Sequence, residues 1–590
     1  MTYRAPLADV IATLRHAAKF DTVRQAGAFA DVGDDDIEAV LSEAGRVAAE
    51  VLAPLNRIGD TVGARIKDGV VTTPPGWKEA YTAWRGGGWN AVAAPREWGG
   101  QSLPRTLDAI CMEFWNSACM AYTLGPLLSV GAVHALLDHG SDELKRRYLP
   151  KLVAGEWMAT MQLTEPQAGS DVGALRTRAE RLPDGTYKIT GQKIFITYGE
   201  HDLTDNIIHL VLARLPDAPP GTRGISLFLV PKFLLNADGS PGARNDVRAH
   251  TIEHKLGIHA SPTCTMIFGD NGGATGYLIG EENRGMACMF TMMNAARLAT
   301  GIQGVSQAEL ALQLATAYAR ERKQGFAIGA KEHSPIIAHP DVKRMLATMR
   351  ALTGAARAIC YSTAVALDLA AEAQEPAVRK AAAERAALLT PIAKAFSADI
   401  GTEVASLAIQ VHGGMGYIEE TGVAQLYRDV RIIPIYEGTS GIQAIDLVTR
   451  KLPLAGGAAV QALITEMQST IAELKAANDP GFGAAPRQLE GAVESLITAT
   501  SWLVSRLEKD PNAALAGATP YLRLFGIALG GCKLADIALG TVRVGDGEDA
   551  SSRIAQTRFF AANMATLAGG YASAVMDGID ALDGAAGVTN

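Results

Sequence analysis

Helical and strand-rich stretches occupy separate parts of this 590-residue chain, which predicts an α+β protein of four successive regions. Three textures carry that reading. From about residue 5 to 157, apolar residues recur at three- and four-residue spacing, as in DDDIEAVLSEAGRVAAEVLAPL, and predict an N-terminal α-helical domain over 1–157. Between 158 and 280 short runs rich in β-branched and aromatic residues (TYKITGQKIFIT, NIIHLVLAR, GISLFLVPK, TCTMIFGD) are bounded by LPDG, PDAPPGTRG and NADGSPGARND, and predict a middle β domain. Helical periodicity returns over 281–452. Past a loop-like KLPLAGG, an Ala- and Leu-rich stretch interrupted by NDPGFGAAPR predicts an additional α-helical domain over 453–590.

Composition narrows the function. At 48% hydrophobic the chain has material for several cores, and a net charge of −8 argues against nucleic acid as the main ligand, since phosphate-backbone binding needs clustered Lys and Arg. Six scattered cysteines form no C-x-x-C pair and no zinc-like spacing with His, so a reducing compartment and no metal site are expected. The start, MTYRAPLADVIATLRHAAKFD, includes Asp9 and Asp21 and no uninterrupted apolar core of a secretory signal. No window supplies the roughly 18 consecutive apolar residues of a membrane helix. A cytoplasmic protein without stable membrane association is the expectation.

Four short stretches carry chemistry. LTEPQAGSD (163–171) follows a strand and packs Thr164, Gly169 and Ser170 into a turn whose N–H groups and hydroxyl can hold a polar ligand; alone, a plain loop closed by Asp171 is the better reading. GQKIFITYG (191–199) sets Phe195 and Thr197 at a strand end, where a flat ring can stack; alone, such residues are core. In QVHGGMGYIEE (410–420) the glycines Gly413, Gly414 and Gly416 mark a turn or close approach, without opening a βαβ unit as a dinucleotide fingerprint would. RIIPIYEGTSGIQ (431–443) holds one carboxylate, Glu437, in a run that after Arg431 is otherwise apolar or uncharged. Burial raises a carboxylate's pKa toward the range of a general base, although most lone acids of this kind are solvated element ends.

In this order, and with PREWGGQSLP, GSDELKRRYLPKLVAGEW, KLGIHASPTC, GEENRGM and ARERKQG, these stretches make the chain resemble the acyl-CoA dehydrogenase flavoprotein family over roughly residues 35–450. Size, early start and extra helical end are most similar to the large bacterial subgroup that includes 3-methylmercaptopropionyl-CoA dehydrogenase. The resemblance implies an acyl-CoA dehydrogenase-like fold and FAD-dependent α,β-dehydrogenation of an acyl-CoA thioester to its trans-2-enoyl-CoA. 3-(Methylthio)propanoyl-CoA is the first candidate substrate and medium- or long-chain fatty acyl-CoA the alternative; an oxygen-reducing oxidase variant and a DNA-associated homologue of little activity stand behind them. The region 451–590 has more Asp and Glu than Lys and Arg, which disfavours the DNA-associated form.

By resemblance, Glu437 is the catalytic base, with its backbone N–H among the groups that stabilise the thioester oxygen. Met161, Leu163, Thr164, Phe195, Ile196 and Thr197 lie along the flavin. Gly169 belongs to the cofactor loop, Ser170 sits where cofactor and substrate meet, and Thr439 touches the flavin after the base. Arg322, Gln324, Gln410, His412, Gly413 and Gly414 reach the FAD of a neighbouring subunit, which implies a homodimer. Asn294, Arg297 and Gly438 occupy substrate-contacting positions. An electron-transfer flavoprotein is the implied electron acceptor. The chain departs from the family pattern at Asn294, where Asp is frequent, at Gly441 in place of Gln, at the inverted Gly325–Phe326 pair, and at Tyr198, Glu200, His201 and Asp202. The methionines of GMACMFTMMNAAR read as core filler at helical spacing, with a sulfur-lined acyl pocket as the sharper alternative.

Overall fold

The computed structural model describes residues 3–545, 547–578 and 582, so the outermost ends of the regions expected over 1–157 and 453–590 lie outside the described residues. The architecture is α+β with strands and helices segregated along the chain. The N-terminal region is not wholly helical. Strands β1 (Arg65–Lys67) and β2 (Val70–Thr72) form a small antiparallel hairpin inside it. Its turn is Asp68-Gly69, both at positive φ (51° and 76°), the Asp-Gly chemistry of a two-residue hairpin turn.

The helix α1 (Arg105–His139) is two arms folded back on each other at Cys119, which leaves helical geometry at φ −159°, ψ 87°. Arg105 and His134 line one cleft of about 230 Å³, whereas a straight helix would hold them about 43 Å apart. Thr123 Oγ1 donates to Asn116 Oδ1 at 2.6 Å across the corner.

The β domain adds β3 (Met158–Gln162), β4 (Arg178–Arg181), β5 (Tyr187–Thr197), β6 (Ile207–Arg214), β7 (Ile225–Pro231), β8 (Phe233–Leu235), β9 (Pro241–Arg244), β10 (Val247–Ile252), β11 (Thr263–Phe268) and β12 (Ala274–Ile279). Eight form one sheet in the order β10-β11-β5-β12-β7-β6-β3, with β4 bridging β5 and β6; β8 and β9 pair separately. The long β5 serves three partners: its C-terminal half pairs with β11 (Thr197 opposite Thr263), and its N-terminal half with β12 (Lys188 opposite Thr275) and β4 (Arg181 opposite Tyr187). The sheet abuts the second arm of α1, where Ala159 N–H donates to Ser129 Oγ (3.0 Å) and Tyr198 O–H to the Ala121 carbonyl (2.8 Å).

Three long helices follow: α2 (Gly285–Glu321), α3 (Pro340–Glu372) and α4 (Pro376–His412). Glycines let α2 and α4 touch backbone to backbone. A Cβ at Gly301 would lie 2.6 Å from the Ala393 carbonyl oxygen, and one at Gly304 2.2 Å from that of Ser397. A buried ion network joins this bundle to the first arm of α1. Arg357 donates to Glu113 (2.9 and 2.7 Å) and Glu309 (2.7 Å), and Tyr361 O–H to Glu113 (2.6 Å).

The last region is helical, built on α5 (Ala518–Val544), and KLPLAGG is a pair of helical turns broken by left-handed Ala455, Gly456 and Gly457. α5 lies against α4, a Cβ at Gly526 meeting the Phe396 ring at 2.2 Å. α1 and α5 are long and apolar enough to cross a membrane, but most of each is buried as core. The N-terminal segment ties this region down: Lys533 donates to the Ala17 carbonyl (3.0 Å), and Arg553 pairs with Asp9 at 2.5 Å.

Candidate active site

The loop 431–439 runs between the helices Val423–Val430 and Ser440–Asp446. Ile433 anchors it in the core, and polar contacts shape the rest. Thr439 Oγ1 caps the second helix by accepting from Ile442 N–H (3.2 Å), Ser440 Oγ donates to Asp399 (2.9 Å), and Gln443 Nε2 donates to the Glu437 carbonyl (3.1 Å). Lys394 of α4 donates to the carbonyls of Ile433 (2.9 Å) and Gly438 (2.7 Å), and Tyr436 O–H to Gln303 Oε1 of α2. Glu437 itself is held at φ +57° and Gly438 at +85°. A left-handed glutamate costs on the order of 1 kcal/mol or more and persists where surrounding structure enforces it, typically at functional sites. Neither the Glu437 nor the Gly438 N–H has a partner among the described residues.

The Glu437 residue is half-buried. Desolvation lifts its pKa to about 7, although Arg297 and Lys394 pull the other way. Burial lowers Lys394 to about 8 against the attraction of Glu437 and Asp399, and lowers Arg297 as well. Arg297 Nη1 donates to Asn294 Oδ1 at 3.2 Å, so the sequence-singled pair does meet. Arg297 Nε, Gln303 Nε2 and Gln443 Oε1, all buried around this loop, lack partners among the described residues. Unsatisfied buried polar atoms are rare in native proteins and point to a group that binds there. A carboxylate titrating near 7 beside free N–H donors can take a proton from a weak carbon acid whose carbonyl oxygen those donors hold.

A second cluster sits on the sheet. Ile194 N–H donates to the Thr164 carbonyl (2.9 Å), setting Leu163 and Thr164 alongside the end of β5, with Met161 on the adjoining β3. Lys193 donates to the Leu163 carbonyl and pairs with Glu165. Phe195 is 60% exposed at φ +60°, an apolar ring held open by strained backbone, while Ile196 is buried and Thr197 half-buried. Gly169 and Ser170 are exposed in the loop beyond. Tyr198, one of the departures from the family pattern, is buried at φ +50°; it donates to Ala121 and accepts from Trp77 Nε1 (3.2 Å), so it is a structural anchor. An open aromatic flanked by half-buried threonines fits the flat ring of a flavin. The second arm of α1 meets both the sheet and α2, where Met292 packs over Gly131, and the Glu437 loop is held by α2 and α4.

The third set lies apart. Arg322, Gln324, Gln410, His412, Gly413 and Gly414 gather at the C-terminal ends of α2 and α4, where Tyr318 stacks on His412 (4.3 Å between centroids). Among the described residues, His412 Nε2 is buried without a partner, and none comes within 4 Å of a Cβ at Gly413 or Gly414. Along α2 its C-terminal end is about 36 Å from Arg297, so within one chain these residues do not join the Glu437 loop.

Lys394, Gln303 and Gln443 escaped the sequence reading. A signal existed for the first: a single lysine inside the apolar run TPIAKAFSA mirrors the single acid inside RIIPIYEG.

The chain matches family models described as acyl-CoA dehydrogenase N-terminal domain (residues 34–156), middle domain (160–271) and C-terminal domain (283–452), and acetyl-CoA dehydrogenase C-terminal like (463–583). It is 45% identical to 3-methylmercaptopropionyl-CoA dehydrogenase of Ruegeria pomeroyi over 99% of both chains, and 37% identical to a butyryl-CoA dehydrogenase of Syntrophomonas wolfei over 90% of both. Its fold matches Caenorhabditis elegans ACDH-11, solved in complex with C11-CoA, with a TM-score of 0.77 at 20% identity over 93% of this chain and 90% of that one. The family is FAD-dependent. On the full-length relative and the successive domain matches together, the chain belongs to the acyl-CoA dehydrogenase family.

Proposed function

We propose that this acyl-CoA dehydrogenase acts on a short acyl-CoA, 3-(methylthio)propanoyl-CoA first among them, with Glu437 as the base that removes the α-proton. The observation that carries the assignment of the base is its environment: a left-handed, desolvated carboxylate titrating near 7 beside two cationic side chains. The free N–H of Glu437 would hold the thioester oxygen as it gains negative charge; one such donor is worth roughly 3 to 4 kcal/mol. Arg297, with Asn294, and Gly438 orient the substrate. The substrate choice rests on the 45% identity to the Ruegeria pomeroyi enzyme of that name.

When bound, FAD supplies the two-electron acceptor for the hydrogen leaving the β-carbon. Met161, Leu163, Thr164, Phe195, Ile196 and Thr197 would hold its ring, Gly169 and Ser170 would close the loop between cofactor and substrate, and Thr439 would add a contact beyond the base. Arg322, Gln324, Gln410, His412, Gly413 and Gly414 serve the FAD of a second copy, making the enzyme a homodimer. Beside them, Tyr417 (85% exposed), Met415, Phe326 and Ile328 (97%) form an apolar surface that a partner subunit would cover. An electron-transfer flavoprotein takes the electrons onward, in the cytoplasm, where six free buried thiols suit a reducing environment.

A longer-chain reading draws on one feature, the largely apolar cleft of about 230 Å³ between the arms of α1 and α2. Anaerobic bleaching of the flavin band with acyl-CoAs of graded length separates the two. In the same assay Glu437→Gln keeps the flavin spectrum and loses at least about 10²-fold in rate. Bleaching at near wild-type speed would reject Glu437 as the base.

A further inference from the structure

Lys394 is a buried lysine that the family resemblance assigned no role. It stands on α4 next to Ala393, whose carbonyl abuts Gly301, so the backbone contact of α2 with α4 delivers it beneath the Glu437 loop. Its ammonium grips that loop from both sides of the base, at 2.9 Å from the Ile433 carbonyl oxygen and 2.7 Å from that of Gly438. An apolar residue here would strand both carbonyls, and an ammonium has three donors, of which these two carbonyls use two.

We infer that Lys394 is a positioning residue for the reaction: by clasping the backbone on either side of Glu437 it fixes the base in its left-handed conformation, and its positive charge sets the field in which that carboxylate works. The inference rests on Glu437 being the base. Other ionisable groups face the same loop. Arg297 approaches from α2, Asp399 from α4, Asp446 and Arg450 from the segment after the loop, and Tyr436 is the neighbour of Glu437 in sequence. Arg297 and Lys394 are the two cations that hold Glu437 down against burial. Removing one moves the carboxyl further up, so the base loses its proton only at higher pH. Because Glu437 and Lys394 interact, the observed limb belongs to the pair.

The test is the pH profile of anaerobic flavin bleaching in FAD-loaded Lys394→Gln, Lys394→Arg and wild type, with Glu437→Gln as control. The Gln variant is expected to lose about tenfold at pH 7, with its acid limb shifted alkaline by about one unit or more, much of the rate returning above that limb. KM should stay within about threefold, since substrate binding is not the clasp's task. Lys394→Arg, which keeps the charge, is expected to hold the limb in place at a lower plateau. A Gln variant whose limb coincides with wild type overturns the inference whatever its plateau. Should that variant fail to retain FAD, the Arg variant decides, a shifted limb there overturning it. Full activity in Glu437→Gln defeats the base assignment instead, independently of Lys394.

Discussion

Lys193 and Glu165 form a salt bridge of 2.9 Å with both side chains withdrawn from solvent, 0% and 4% exposed. The pair clamps the exit of β3 to β5, because Glu165 also accepts from Thr177 (3.0 Å to N–H, 2.6 Å to the hydroxyl) and Lys193 donates to the Leu163 carbonyl at 3.0 Å. Burial alone would raise Glu165; Lys193 and the surrounding donors outweigh it and hold it at about 2. Breaking a buried pair from one side leaves an uncompensated charge at a cost of about 3 to 5 kcal/mol. Glu165→Gln is therefore expected to lower the unfolding midpoint markedly and to weaken FAD retention, because Leu163 and Thr164 lose their anchor. Calorimetry and flavin content after gel filtration measure both effects.

The pKa of about 7 for Glu437 predicts a pH-dependent reductive half-reaction. The base must be ionised to act. Its pKa is raised from the ordinary carboxylate range, so the bleaching rate should fall about tenfold per unit below pH 7 and level off above it. An ordinary exposed carboxylate would show the fall only near pH 4 to 5. Stopped-flow traces between pH 5.5 and 9 distinguish the two.

Phe195 carries a prediction of opposite signs for folding and binding. Its φ of +60° strains any residue with a Cβ, and its exposed ring contributes little to the core. Phe195→Gly relieves the strain, so apoprotein stability should hold or rise by up to about 1 kcal/mol. Loss of the stacking face should weaken FAD binding by about three- to tenfold. Titration of apoprotein with FAD, beside urea unfolding, reads each effect separately.

Periodicity made the segregated α+β layout legible, because three-and-four spacing in DDDIEAVLSEAGRVAAEVLAPL and alternation in TYKITGQKIFIT are local properties. The β1–β2 hairpin went unread although Lys67-Asp68-Gly69-Val70 holds its turn, since three-residue strands leave too short an alternation to stand out from helical surroundings. Glu437 was legible as a lone acid in an apolar run. Lys394 was not, because its meaning is tertiary: Gly301 and Gly304 must first bring α2 onto α4 before a lysine in IAKAF meets carbonyls about forty residues further along. The corner at Cys119 was hidden for the same reason, no glycine or proline marking it.

The added helical region should depend on the N-terminal segment. Lys533, 3% exposed, binds the Ala17 carbonyl (3.0 Å) and Glu466 (2.7 Å), which also meets Arg385 at 2.6 Å. Burial would raise Glu466, but the two cations hold it below the usual carboxylate range. Its folded pKa is depressed, so its stabilising contribution is complete above about pH 4.5 and is lost as pH falls through the folded value. Lys533→Met is expected to cost about 3 kcal/mol at pH 7, and the deficit should narrow below about pH 4.5 as Glu466 protonates in the unfolded chain. Urea titrations at pH 7 and pH 4 check the magnitude and the sign.

Met292 decides between core filler and acyl-pocket wall. It is fully buried, packs with its side chain over Gly131, and forms one wall of the cleft between the arms of α1 and α2, whereas Met289 is buried away from that cleft. Shortening either methionine removes comparable apolar volume, so Met292→Ala and Met289→Ala should each destabilise by about 2 to 4 kcal/mol. Only Met292→Ala should enlarge the cleft. If the acyl chain extends toward it, that variant moves the kcat/KM optimum to longer acyl-CoAs, while Met289→Ala loses stability without changing the order of substrates. An unchanged order in both variants makes Met292 core filler and confines the acyl chain to the side of α2 that carries Arg297.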